Sequence, residues 1–196
     1  MKKIFVTLFL AVALVIPVFA ADDTDLELIP KIGYLFSPEI TADSNSTSNE
    51  SAISLGVDLF FDMQNNFFLG AGLVWGQNHK EDDISDKKVG FTNAYAALKY
   101  KFLVNASEDD PFYIYPLAQI GFGMPGWDVS GYFSDYKIDG GFYWGLGIGG
   151  EIKNIIVEFI YGCNYATEKY SFDHHDFSQD FTYTAFRINV GYKFIL

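Results

Sequence analysis

The stretch at residues 181–196 constrains this chain more than any other. Thr182, Thr184, Phe186, Ile188, Val190, Tyr192, Phe194 and Leu196 alternate strictly with Tyr183, Ala185, Arg187, Asn189, Gly191 and Lys193. A period of two belongs to a β-strand, whose successive side chains point to opposite faces. One face is almost wholly apolar to the last residue, and the other carries two cations, an amide and a glycine. The two faces must therefore meet different surroundings. An edge strand ending in Tyr-x-Phe-x-Leu would template aggregation in water. It is stable where it closes onto another strand and turns its apolar face to lipid, as in a membrane barrel.

The same alternation recurs upstream. Strands are expected over residues 26–37, 51–61, 67–77, 91–103, 112–124, 141–152 and 155–165, which with the last makes about eight. Their lengths approach the roughly 9–11 residues that a tilted membrane-crossing strand needs. In the third, Phe67, Leu69, Ala71, Leu73 and Trp75 oppose Phe68, Gly70, Gly72, Val74 and Gly76, so glycine dominates one face. In the fifth, Pro116 removes a ladder donor and marks an edge or a bulge. The connections alternate long and short: 38–50, 78–90, 125–140 and 166–180 against 62–66, 104–111 and 153–154. A soluble barrel or sandwich has no reason to gather its long loops at one end, and its outer face should carry many Lys, Glu and Thr. The expected fold is all-β, a transmembrane up-and-down antiparallel β-barrel of about eight strands. Long loops lie outside the cell and short turns in the periplasm.

Residues 1–20 read as a signal peptide, with Lys2 and Lys3, an apolar run from Ile4, a break at Pro17 and Val18-Phe19-Ala20 before the acidic Ala21-Asp22-Asp23. The apolar run falls short of the roughly 20 residues of a helical span. The barrel domain is then residues 21–196. The single cysteine, Cys163, excludes an internal disulfide, stands far from any lipoprotein attachment point, and reads as a small packed or lipid-facing side chain. The formal charge is −12, or −14 once Lys2 and Lys3 leave with the signal, which argues against a nucleic-acid partner. Most acids, including those from Asp22 to Glu27, read as solvated loop residues.

These residues together resemble the small outer-membrane β-barrel superfamily that includes OmpA transmembrane domains, OmpX and opacity-type proteins. The likeness covers residues 26–196 and rests on the alternation, the loop asymmetry and the terminal Ile188-x-Val190-x-Tyr192-x-Phe194-x-Leu196. That ending is similar to the signal read by the barrel-assembly machinery, although Leu196 stands where an aromatic residue is usual. The resemblance implies a bacterial outer-membrane location, contact with outer-membrane lipid and lipopolysaccharide, insertion by the assembly machinery through the last strand, and a monomer. No peptidoglycan-binding domain is expected after the barrel.

Three groups of residues could carry chemistry. Lys31, Asp58, Lys99, Lys101, Glu151, Glu158, Arg187 and Lys193 share the polar face and should form a charge network plugging the lumen. A simple register for the last two strands pairs Glu158 with Lys193 and lifts Asn164 and Arg187 above them. The loops offer an aromatic contact surface at Trp127, Val129, Tyr132, Phe133 and Tyr136, and at Tyr170, Phe172 and Phe177, for an extracellular protein or ligand. His174 and His175 join that surface. Asp173-His174-His175-Asp176, with His79, lacks the spacing of a metal site. Ser178 after His175 does not match the His-x-Ser of the lipid A deacylases. No cofactor is expected, and a non-enzymatic surface protein is the first reading. A narrow channel for small ions or apolar solutes, as in OmpW-like barrels, is the second, and a lipid A-modifying enzyme a remote third.

Overall fold

A computed structural model describes residues 26–43, 45–76, 79–80, 88–105, 110–128, 137–172 and 175–196. The expected signal peptide, Val129, Tyr132, Phe133, Tyr136 and His174 lie outside them, as do the side chains of Trp127, Phe172 and His175. Eight principal strands are present: β1 (Leu26–Ala42), β2 (Ala52–Asp62), β3 (Phe67–Gly76), β4 (Lys88–Tyr100), β5 (Phe112–Asp128), β6 (Lys137–Ile152), β7 (Ile155–Phe172) and β8 (His175–Tyr192). Each pairs antiparallel with the next, and β8 returns to β1. Four short segments extend this ring: Asn45–Ser48 and Phe194–Ile195 pair with β1, His79–Lys80 with β4, and Phe102–Asn105 with β5.

Closure disposes of the edge that the last strand would otherwise expose. Ile32 stands opposite Val190 and Lys31 opposite Gly191. Beyond them Phe194 pairs with Leu28, and the Leu196 amide donates to the Leu26 carbonyl at 2.9 Å. The chain is an up-and-down barrel with no free strand in its principal ring.

The pleat sorts the residues inside out relative to a soluble protein. Outward-facing Phe186 and Leu146 are 63% and 59% exposed, whereas inward-facing Glu158 and Asn189 are 0% and 2% exposed. Such a wall is stable only where the outer solvent is hydrocarbon. Aromatic pairs rim both ends of the apolar band. On the periplasmic side Phe67 meets Tyr100 and Tyr100 meets Phe102, each with centroids 4.6 Å apart, while Tyr192 meets Phe194 at 4.9 Å. On the other side stand Tyr34 with Phe36, Tyr161 with Phe186, and Phe142 with Tyr165. Aromatic side chains sit at this depth because their apolar bodies face lipid while their edges tolerate water.

Above that second girdle the rule inverts. On the outer wall of β7, Phe159, Tyr161 and Tyr165 give way to Thr167, which donates to Asp180 at 2.7 Å, and to Lys169, which donates to Asp139 at 2.8 Å. The inner wall becomes apolar: Phe91, Ile138, Ala166, Phe181 and Tyr183 form a cluster, with Ile40, Ala42 and Ala185 against it. Two bulges make the exchange. One lies in β1 between Phe36 and Glu39, with Ser37 at a φ of 28°, and one shifts the β6–β7 register between Asn164 and Ala166. An extra residue reverses which parity faces inward, so Ile40 and Ile138 turn into the barrel once water replaces lipid outside.

Among the described residues, much of three expected long loops is therefore strand. β1 runs on to Ala42 and turns back through Asn45–Ser48, β5 reaches Asp128, and β7 and β8 form a hairpin of 18 residues on each side. Polar composition led those stretches to be read as loops, but outward polarity is what a strand standing in water carries. Pro116 causes no bulge. It lies in a short gap between the pairs Lys99–Leu117 and Phe102–Ile114, and the Lys101 amide inside that gap donates instead to the Asn66 carbonyl at 3.0 Å.

Candidate functional site

Among the described residues the buried charges gather in the lumen, which is filled in layers. Nearest the periplasm, Glu27 of β1 accepts from Lys99 at 2.7 Å and from Lys101 at 2.6 Å. Lys101 also lies 2.7 Å from Glu151 Oε2, an ion pair without hydrogen-bond geometry. Lys193 donates to the other oxygen of Glu151 and lies 3.8 Å from Glu27. Aromatic faces complete this layer, with Lys99 Nζ 4.0 Å above the Phe60 ring and Lys101 Nζ 4.3 Å above Phe68.

The middle layer centres on Lys31. Its ammonium donates to Asp58 at 2.5 Å and to Glu158 at 2.9 Å. Tyr95 donates its hydroxyl to the second oxygen of Asp58 at 2.7 Å, Tyr115 donates to Glu158 at 3.1 Å, and Asn189 donates to Glu158 at 3.3 Å. Both carboxylates are thus held by a cation and by neutral donors, which is what a buried charge requires. Glycine makes the room. A Cβ on Gly72 would come within 2.2 Å of Asp58 Oδ1, and one on Gly149 within 2.2 Å of the Tyr115 ring.

Higher still, Tyr143 donates to Gln119 at 2.7 Å and stands beside Arg187. Around them Leu35, Asn93, Ile160, Gly162, Asn164, Tyr183 and Ala185 line a cavity of about 20 Å³. The apolar cluster of Phe91, Ile138, Ala166, Phe181 and Tyr183 closes the barrel above it, with Phe91 and Tyr183 in ring contact at 4.9 Å.

The lumen residues named from sequence all face inward and are all buried. Their pairing departs from the simple register. Glu158 stands opposite Asn189 and Arg187 opposite Ile160, so Lys193 lies nearer the periplasm than Glu158 and reaches Glu151 and Glu27 instead. Glu158 goes to Lys31, across the barrel rather than along the adjacent strand. Glu27 corrects the reading of the leading acids as solvated: it is 4% exposed and joins three lysines. Its one signal in the sequence was its place opposite Leu28 at the start of an alternating run. Tyr95 and Tyr115, donors to the middle carboxylates, stand on the polar faces of their strands, and nothing in their spacing marks them as partners of Asp58 and Glu158. Tyr170 and Phe177 stack across the β7–β8 hairpin, centroids 5.2 Å apart. His79 lies on the short segment paired with β4. Among the described residues no cluster of His, Cys, Asp and Glu is placed to hold a metal.

Comparison with known proteins gives the same architecture. The family described as outer membrane protein β-barrel domain matches residues 6–194. The solid-state NMR structure of the outer membrane protein AlkL in lipid bilayers superposes with a TM-score of 0.59 at 13% identity, covering 89% of this chain and 92% of that one. The outer membrane protein OprG from Pseudomonas aeruginosa superposes with a TM-score of 0.56 at 14% identity, covering 87% and 95%. No curated protein sequence matches the chain significantly.

Proposed function

The chain belongs to the outer membrane protein β-barrel domain family, and from that premise and its filled lumen we infer a sealed, non-enzymatic wall protein that works through its outer surface. One observation carries this reading: the axis is closed by the two ion-pair layers and again by the apolar cluster above them. An ion following the axis would have to break salt bridges between buried groups and leave their carboxylates uncompensated. The cavity beside Arg187, at about 20 Å³, has room for one water-sized occupant.

The outer surface is built unevenly. β5 to β8 have 17, 16, 18 and 18 residues, while β2 and β3 have 11 and 10. The longer strands exceed a membrane crossing by roughly seven residues, so a polar-faced sheet stands above the lipid on one side of the barrel. That wall, with Phe177 45% exposed near its tip, is the surface we assign to an extracellular ligand or another envelope component. Below it, the exposed apolar band meets lipid, and the girdle region meets lipopolysaccharide. Cleavage after Ala20, insertion through the last strand by the assembly machinery and a monomeric state belong to the same reading.

Planar-bilayer recording of the refolded protein, with folding checked by heat-modifiable gel mobility, tests it. The expected result is no steady unitary current in the wild type or in Arg187→Ala. Steady currents altered by that substitution would transfer the function to a narrow channel.

A further inference from the structure

Buried charge in the lumen does not balance. Among the described residues the buried cations are Lys31, Lys99, Lys101, Arg187 and Lys193, and the buried carboxylates are Glu27, Asp58, Glu151 and Glu158, five against four. Every one of the four carboxylates is taken by a lysine. The surplus charge is that of Arg187, 6% exposed, whose Nε and Nη2 have no hydrogen-bond partner among the described residues. Tyr143 stands beside it, but a buried guanidinium with two donors still unused costs far more than a neutral orphan, because a guanidinium does not shed its proton.

Arg187 lines the cavity of about 20 Å³, and two other polar groups in its lining, Asn93 and Asn164, are poised in the same way. Asn93 Oδ1 and Asn164 Oδ1 are buried and unpartnered. Both oxygens converge over Gly123, where a Cβ would lie 2.1 Å from Asn164 Oδ1 and 2.9 Å from Asn93 Oδ1. Both asparagines line the cavity together with Arg187, and a half-turn of either amide exchanges its oxygen for its NH2 group, so each can serve as a donor there. A cavity of this size holds one water or one small spherical ion. Water would fill the hydrogen bonds and leave the charge.

We propose that this cavity is a binding site for a single monoatomic anion of the chloride class, held by Arg187 Nε and Nη2 with the Asn93 and Asn164 amides. The anion completes the charge balance of the barrel and closes the space between the Lys31 layer and the apolar cap. The role is distinct from conduction, since the ion-pair layers below leave it no exit.

The test uses the refolded protein and chloride itself. The urea unfolding midpoint is measured across chloride concentrations at constant ionic strength, with gluconate, too large for the cavity, as the replacement anion. The midpoint should climb with chloride in the wild type and stay flat in Arg187→Gln. Asn164→Asp supplies a tethered carboxylate beside the guanidinium, and should lose the chloride dependence while keeping the wild type's high-chloride midpoint. That second variant decides the matter if Arg187→Gln does not fold. Crystals grown in bromide should show an anomalous peak next to Arg187 Nε and Nη2. A midpoint indifferent to chloride against gluconate, or a site that holds only water in bromide, overturns the proposal.

Discussion

Lys31 and Glu158 are separated by 127 residues and meet at 2.9 Å in the centre of the barrel, where Lys31 also holds Asp58 at 2.5 Å. One cation on the first strand thereby ties the second strand to the seventh across the lumen. Removing Lys31 as Lys31→Met leaves two buried carboxylates facing each other and should cost about 3–5 kcal/mol, read from the urea midpoint. A double-mutant cycle between Lys31 and Glu158 should show a coupling of about 0.5–3 kcal/mol, while one between Glu158 and Lys193 should be additive to within about 0.5 kcal/mol. Strong coupling in the second cycle would mean that β7 and β8 pair in another register.

Gly149 and Tyr115 test the packing of the same layer. A methyl group at 149 would press within 2.2 Å of the Tyr115 ring and push its hydroxyl off Glu158. Gly149→Ala should destabilise the barrel by roughly 1–3 kcal/mol, and Tyr115→Ala in the same chain should recover part of the loss. A double variant no better than the sum of the singles would show that the strain lies in the backbone.

Depth in the membrane can be read by placing charge on the outer wall. Leu146→Arg, near the middle of the apolar band, should cost about 2–4 kcal/mol, and Thr167→Arg, above the girdle, about 0–1 kcal/mol. Equal costs would remove the boundary at Tyr165.

The protruding sheet carries a pH-sensitive clasp. Lys169 donates to Asp139 at 2.8 Å and Lys137 lies 2.5 Å from its other oxygen, and the two ammonium groups hold its carboxyl below the usual carboxylate range. The bond to Asp139 also raises the Lys169 ammonium above the ordinary lysine value. For a carboxyl lowered by folding, the stabilisation is present above its unfolded value, and it fades as pH falls through the folded one. For the raised lysine, stabilisation is present below its unfolded value and fades as pH rises through the folded one. The protection factor of the amides in Lys137–Gly140, their exchange rate measured against the unstructured-chain rate at the same pH, should therefore be highest between these limits and fall at acid pH. Asp139→Asn should flatten that dependence, and an unchanged profile in the variant would assign the pH effect to other groups.

Much of the barrel was legible because its two faces meet opposite solvents. Phe186, Ile188 and Val190 against Arg187 and Asn189 give a period of two that survives any local context, and the short turn at Lys153-Asn154 joins Ile152 to Ile155 as its length requires. Where the outer solvent changes, the pattern stops being informative. The stretch from Glu39 to Ala42 has a polar outer face and a bulge that shifts its parity, so its alternation is out of phase with the strand below it.

The inward orientation of Lys31, Asp58, Glu158 and Arg187 was determined by the sequence alone, since parity within a strand is local. Which of them touch was decided only by the tertiary structure. Barrel closure brings β1 against β8, tilt and register set the height of every side chain, and contacts across the lumen join strands that are not neighbours. Lys193 reaches Glu151 and Glu27, Glu158 reaches Lys31, and among the described residues Arg187 is left with no carboxylate at ion-pair distance. Alternation assigns a side chain to a face, but an ion pair needs a distance, and distances across a closed lumen exist only once the ring has formed.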